Sequence, residues 1–341
     1  MSIIRFGASH RGRRLPLIFL LLSLVAPPLA AQERVTVAYP GPYNIPLLPL
    51  DLAPKIGADR AEGIALVPRY VSGGVALQDL ETRNADFAAP GVPAAMSARA
   101  QGSDVVVIAP LNDRPVYVLA VRSDLKTQVR RPRDLAGRRV GVTTSSRTAR
   151  TTSHQVTELV LLGDGMSPDQ LRLVSIGQSW EEQSAALRSG TVDAILGFEP
   201  FPTRLRDAGL AYFLFNLADP ADARKLPGAG FLLAGLATRS DVLQQSPQRA
   251  ARLVAVVRRT LQWLAAHTPE QIVTALEIPD LEARAALLKA LQQYPQLYSP
   301  DGRFSARQIA ETDAFFKAVG QAERPVDFDG MIEARWAGRK P

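Results

Sequence analysis

What most constrains this chain is a rhythm: short apolar segments of strand length alternate with helix-length segments, and the alternation runs through once and then starts again. Val35–Tyr39 reads as a strand ending in the turn-rich Pro40-Gly41-Pro42-Tyr43. Ile64–Val71 runs into Ser72-Gly73-Gly74, after which Val75–Thr82 has helical spacing. Asp86–Ala89 stops at Pro90-Gly91, Val92–Ala100 is Ala-rich and helical, and Val105–Ala109 is a buried strand ending at Pro110. Strands spaced by helices in this way build a parallel sheet covered on both faces.

The second round begins with the strand Val116–Val121, a short helical turn at Asp134–Gly137 and the strand Arg139–Val142. The small polar loop Thr143–Thr148 then leads into a helix running to about Leu162. Leu171–Ile176, the helix Glu181–Arg188 and the strand Asp193–Leu196 follow. Leu80-x₅-Asp86 and Leu187-x₅-Asp193 echo each other, as two similarly built lobes would. After about Leu226 one strand, Phe231–Thr238, precedes a mostly helical section. Ser246-Pro247 opens a long helix, Gln248–His267, and Leu281–Gln293 and Ser305–Val319 are further helices. The expectation is two α/β lobes, each a mainly parallel sheet flanked by helices: residues 32–118 with 226–341, and residues 119–225.

The first 31 residues stand apart. Arg5, Arg11, Arg13 and Arg14 precede the apolar run Leu15–Val25, which gives way to Ala26-Pro27-Pro28-Leu29-Ala30-Ala31-Gln32. A basic head, a short apolar core and a small-residue exit predict a secretory signal peptide cleaved near Ala31 and a periplasmic protein. The run is too short to span a membrane. Without these four arginines, 36 basic residues face 33 acids, a net charge of +3 rather than +7. So small an excess argues against a nucleic-acid partner. The chain has no cysteine, which excludes disulfides, thiolate metal sites, a cysteine nucleophile and a cysteine-linked lipid anchor.

Several blocks carry a family resemblance: Leu80 to Asp86, Pro90-Gly91-Val92-Pro93-Ala94, Val118–Asp124, Pro132-x-Asp134-Leu135-Ala136-Gly137-Arg138-Arg139-Val140-Gly141-Val142, Leu187-Arg188-Ser189-Gly190-x-x-Asp193-Ala194 and Phe198-Glu199-Pro200-Phe201. In these, across about residues 35–245, the chain resembles the substrate-binding proteins of sulfonate, nitrate and thiamine-precursor ABC transporters. Phe198 stands where the family pattern often has Trp. The resemblance implies a type II-like periplasmic binding protein fold with a ligand cleft between the lobes. It also implies a monomer that hands a small molecule to an ABC permease, without cofactor or catalysis. One alternative is a biosynthetic enzyme of the thiamine pyrimidine, which resembles this fold but relies on a cysteine-rich iron-binding motif missing here. Another is a periplasmic sensor subunit.

In open α/β sheets ligands bind outside the carboxyl ends of the strands, so the loops there supply the candidates. Thr143, Thr144, Ser145, Ser146, Arg147 and Thr148 offer hydroxyls, one guanidinium and helix-start N–H groups, an anion receptor; ordinary capping with Arg147 in solvent is the alternative. Ser72, Gly73 and Gly74 either present N–H groups to a ligand or form a tight turn with positive φ. Pro90, Gly91 and Asn112 lie in two further strand-end loops. Glu199 is either a ligand acceptor or a hinge acid paired with Arg204 or Arg206. Of the strand-end aromatics Tyr39, Tyr43, Trp180, Phe198 and Phe201, Tyr43 is the preferred ligand contact. His10, His154 and His267 have no ligand-spaced partners, so a metal site is not expected. The sequence has no G-x-S-x-G elbow, Walker loop or G-x-G-x-x-G fingerprint.

Overall fold

The computed structural model describes residues 1–3, 7, 32–143, 151–299, 301–320 and 328–340. Residues 32–341 form one compact unit, and the expected signal peptide falls almost wholly outside the described residues.

The chain lays down four strands, β1 (Glu33–Tyr39), β2 (Ile64–Tyr70), β3 (Phe87–Ala88) and β4 (Val105–Pro110), then crosses to a second sheet. There it forms β5 (Tyr117–Arg122), β6 (Arg139–Thr143), β7 (Arg172–Ile176), β8 (Ala194–Phe198) and β9 (Ala211–Asn216). It returns to the first sheet as β10 (Gly235–Arg239). The strand orders are β2-β1-β3-β10-β4 and β7-β6-β8-β5-β9, the same pattern twice. In each sheet four strands share one direction and the fifth, β10 or β5, is antiparallel to both neighbours. Those two are the strands entered directly after a crossing. The other strands run toward the edge where the chain crosses, so a strand starting at that edge must run away from it.

Helices cover both sheets: α1 (Leu48–Lys55), α2 (Ala58–Ala61), α3 (Gly73–Glu81), α4 (Val92–Ala100), α5 (Thr152–Gly163), α6 (Trp180–Arg188), α7 (Phe201–Asp207) and α8 (Pro220–Ala223). The C-terminal section adds α9 (Ser240–Gln245), α10 (Pro247–Ala266), α11 (Pro269–Leu276), α12 (Leu281–Gln293), α13 (Ala306–Ala318) and α14 (Phe328–Met331). Coverage on both faces explains why β4, Val-Val-Val-Ile-Ala-Pro, is buried throughout. On α10, Leu253, Val254, Val257, Leu261 and Leu264 make a buried stripe at helical spacing. Its other side carries Arg249, Arg252 and Arg259, paired with Glu33, Asp86 and Glu62. Such exposed pairs contribute at most about 1 kcal/mol each, against about 1.5–3 kcal/mol for each buried leucine, so the apolar stripe seats the helix. Among the described residues no helix is long and apolar enough to cross a membrane.

Two expectations are corrected. The helix after Ser72 starts at Gly73, not Val75, so Gly73 and Gly74 are its first residues, and neither has a positive φ. The strand expected from Phe231 begins only at Gly235. Upstream, side chains take the backbone donors that a ladder would use. Leu232 N–H donates to Thr312 Oγ1 (2.8 Å) and Ala234 N–H to Asn112 Oδ1 (2.9 Å).

One face of α13 grips both crossings. Gln308 Nε2 donates to the carbonyls of Asn112 (3.2 Å) and Asp113 (3.0 Å) in the first. In the second, Gly230 N–H donates to Glu311 (3.2 Å) and Thr312 takes Leu232. Gly228, at φ +69°, lies so close that a Cβ would fall 2.1 Å from the Phe315 nitrogen, which leaves glycine as the residue that fits. Asn112 completes the clamp, its Nδ2 donating to the Arg114 carbonyl (2.6 Å) while Oδ1 takes Ala234. Replacing Asn112 by Ala strands a buried N–H and should lower the unfolding free energy by about 2 kcal/mol, read by urea denaturation. An unchanged midpoint would show that the two crossings hold together without it.

Candidate functional site

The strand directions put every strand end that can meet a ligand on one gap. From the first sheet come Pro40 after β1, Gly73 after β2, Ala89 and Gly91 after β3, and Leu233 and Ala234 before β10. From the second come Thr143 at the end of β6, Gln178 after β7, Phe198 at the end of β8 and Tyr117 at the start of β5. Every one lies at the carboxyl end of a strand, or at the amino end of an antiparallel one, as the general rule for open α/β sheets requires. They enclose a cavity of about 60 Å³, room for a few water-sized groups at roughly 10–15 Å³ each. No described residue of its wall is charged.

Its polarity comes from helix starts. α3, α4 and α5 all begin on this wall, at Gly73, just after Gly91 and at Thr152. Each N-terminus carries roughly half a positive charge; in α4 the first donors are already engaged, Val92 N–H by the Leu233 carbonyl (2.8 Å) and Ala94 N–H by Thr152, and Pro93 has none. Thr151 caps α5 by accepting from His154 N–H (3.3 Å). Ser153 Oγ accepts from Thr143 N–H and donates to the Leu196 carbonyl, both at 3.2 Å, which ties the helix start to β6 and β8. Thr152 reaches across the gap. Its Oγ1 accepts from Ala94 N–H in the first turn of α4 (3.3 Å), and beside it Gln155 Nε2 donates to Ser97 Oγ (3.1 Å). Gly91 permits this approach, because a Cβ there would fall 2.0 Å from Thr152 Oγ1 and 2.7 Å from Thr152 Cβ.

The candidates named from sequence divide. Gly73 and Gly91 line the cavity; Ser72 caps α3 beside it, accepting from Val75 N–H (3.3 Å), and Pro90 precedes Gly91. Gly74 lies in the first turn of α3. Asn112 does not line it, being committed to the clamp behind Ala234. Tyr43 also stands off the wall, in a left-handed conformation (φ 63°), with its N–H donating to Asp51 Oδ2 (2.7 Å). The same buried carboxylate accepts from the Tyr39 (3.0 Å) and Tyr70 (2.9 Å) hydroxyls. Burial pushes the Asp51 carboxyl above its ordinary range, while these three donors hold it back. Thr144, Ser145, Ser146, Arg147 and Thr148 lie outside the described residues.

Glu199 is fully buried, but its carboxylate turns onto α7, accepting the Thr203 N–H (3.1 Å) and hydroxyl (2.9 Å). Arg204, an expected partner, instead bonds Asp280 (2.8 Å) and Glu282 (3.1 Å) and lies 4.2 Å over the Trp180 ring. The Glu199 carbonyl accepts from Ile45 N–H (3.2 Å), joining the β8 end to the loop after β1.

Of the five aromatics, only Phe198 is on the wall, edge-on to Tyr117 at 5.7 Å. Sequence reasoning missed Tyr117, Thr151, Thr152, Ser153, Leu233 and Ala234. Thr151 carried a signal, a hydroxyl residue three before His154 at the head of an apolar-periodic run. His154 sits 3.5 Å from Glu158 and His267 stacks on Trp263 at 3.7 Å. Among the described residues no group of three or more His, Asp or Glu is placed to hold a metal.

Desolvation pushes Glu199 from 4.5 up to about 7, against the Thr203 hydrogen bonds and the Arg206 charge. The folded protein therefore holds a proton that the unfolded chain releases, and stability falls as pH rises from about 4.5 to about 7. Glu199→Gln should escape that fall, so its stability relative to the parent should rise by about 3 kcal/mol across the window. Denaturation curves at several pH values measure it; a difference independent of pH would mean that Glu199 is ionised throughout.

The fold has relatives among solved structures. A protein of Bordetella bronchiseptica RB50 superposes with a TM-score of 0.78 at 21% identity, over 89% of this chain and 96% of that one. The alkanesulfonate-binding protein SsuA from Xanthomonas axonopodis pv. citri, bound to MOPS, gives 0.69 at 18% identity, over 91% and 100%. The periplasmic nitrate-binding protein NrtA from Synechocystis PCC 6803 gives 0.60 at 16% identity, over 72% and 66%. At these identities the likeness establishes the two-lobed periplasmic-binding-protein fold. No curated protein matches the chain in sequence. The family model described as NMT1/THI5 like matches residues 60–272, more than half of the sequence, and the chain therefore belongs to the NMT1/THI5-like family.

Proposed function

We propose that this protein is the periplasmic solute-binding component of an ABC importer and that its cleft holds a small solute through an anionic group. The carrying observation is the convergence of three helix N-termini, those of α3, α4 and α5, on a cavity whose described wall is uncharged. Such a wall favours a compact anion over a cation, because among the described residues the strong field comes from helix dipoles and backbone N–H groups. The fold's relatives named for alkanesulfonate and nitrate binding are in keeping with that chemistry. In this reading residues 1–31 are removed on export. Residues 32–118 with 226–341 form one lobe, residues 119–225 the other, and the protein acts as a monomer that docks on a permease without catalysing a reaction.

Thr152 has a part in this reading. In closing the gap it places its hydroxyl on Ala94 N–H, the donor at the start of α4 that a ligand oxygen would also seek. Ligand capture and lobe closure then use the same pair of helix starts. Arg147, with Thr144, Ser145, Ser146 and Thr148, would add a charge-assisted grip from the loop before α5.

A thermal-shift panel of alkanesulfonates, nitrate, pyrimidines and aromatic carboxylates tests the function. A true solute at 100 times its dissociation constant should add about 2.7 kcal/mol of stability; silence across the anions would sink the reading. With the solute in hand, Gly91→Ala should weaken binding about tenfold or more, since its Cβ meets Thr152 before the lobes close. Small-angle scattering should then show a ligand-bound particle less compact than the parent; equal affinity would place the closure contact elsewhere. Arg147→Ala should also weaken binding about tenfold with melting in the absence of solute unchanged, and undiminished affinity would make Arg147 a solvated cap residue.

A further inference from the structure

A second cavity, of about 430 Å³, lies away from the cleft on the outer side of the two crossings. Its size is that of ordinary small-ligand sites. Three arginines line it from three separate elements: Arg114 from the first crossing, Arg224 from the C-terminal end of α8 in the second, and Arg307 from the first turn of α13. One carboxylate, Glu311, is on the same wall, and it is occupied by Gly230 N–H (3.2 Å). The guanidiniums are poorly neutralised. Arg114 bonds the neutral Gln296 (3.3 Å), and among the described residues the ion-pair partner of Arg307 is Asp113 at 3.8 Å, an acid it shares with Lys340. The Arg224 guanidinium has neither an ion-pair nor a hydrogen-bond partner among the described residues.

Three arginines and a single, already hydrogen-bonded carboxylate on one concave wall leave an excess of positive charge there. The planar forks of arginine match carboxylate and phosphate oxygens two at a time. The Arg307 guanidinium hangs over Gly230, where a Cβ would fall 2.7 Å from its Nη1 and 3.4 Å from the Glu311 Cδ, so the Glu311 carboxyl is its near neighbour but makes no ion pair with it. We infer that this groove is a second binding site, for a small multivalent anion carrying two or more phosphate or carboxylate groups. Because its walls come from both crossings and from the helix that clamps them, an anion here would bridge the segments that join the two sheets.

Calorimetric titration of the purified protein at low ionic strength with pyrophosphate and, separately, with citrate tests the site and distinguishes the two oxyanion types. Saturable binding of either at one per chain is expected, weakened at least about tenfold in the Arg224→Gln/Arg307→Gln double variant, whose melting without anion should match the parent. If that variant fails to fold, Arg114→Gln/Arg224→Gln serves instead, with the same expectation. Absence of saturable binding of both anions overturns the inference. So does binding that survives the arginine changes but is lost in Thr152→Val, which would put the anion in the cleft between the sheets. A failure of the cleft to bind any solute leaves the groove titration unaffected, so the two proposals fall separately.

Discussion

Both sheets depend on one grip. The chain passes between them at Leu111–Val116 and again at Leu217–Ala234, and a single face of α13 holds both passages. Gln308, Glu311, Thr312 and Phe315 recur on that face at helical spacing and meet the crossings through hydrogen bonds, a ring contact of 4.3 Å between Phe231 and Phe315, and the missing side chain of Gly228. Irregular backbone buried at this depth must find acceptors and donors for every peptide group, and α13 with Asn112 supplies them. Removing that grip would leave the two sheets joined by segments free to choose other paths.

The crossings that it holds set which way the strands point, and from that the character of the cleft follows. Strands that approach the crossing edge deliver their carboxyl ends to it, and the helices that follow start there with the positive ends of their dipoles. A cleft assembled this way is electropositive without a charged side chain among its described wall residues. Behind the loop after β1, the buried Asp51 side chain draws together two tyrosine hydroxyls and the backbone of Tyr43. The left-handed conformation of Tyr43 costs a residue with a side chain on the order of 1–2 kcal/mol; the hydrogen bond from its own N–H to Asp51 offsets part of this.

Across the gap the contacts are few and specific. Thr152 meets Ala94, Gln155 meets Ser97, and Ile45 meets the carbonyl of Glu199. α7 and α12 add ion pairs, Arg204 with Asp280 and Glu282, and Lys289 with Asp207. Hydrogen bonds and partly exposed ion pairs of this kind carry modest net energies, in keeping with the lobe closure proposed above.

By itself the sequence determined the two rounds of strand and helix, the α/β class and the export-type leader as an expectation. It also set the limits of α4 at Val92–Ala100 and α12 at Leu281–Gln293, because periodicity and caps are properties of neighbouring residues. Its motif blocks were sufficient to indicate the family. The tertiary structure decided what each strand-end residue faces. Asn112 and Glu199 sit in loops of the expected kind, yet one is taken by Ala234, 122 positions away, and the other by Thr203 on the next helix. Thr152 became a cleft residue only because Gly91, from the other sheet, left room for it. Local pattern fixes which backbone forms an element; which polar group is left for a ligand depends on partners that the chain brings together only after both sheets have formed.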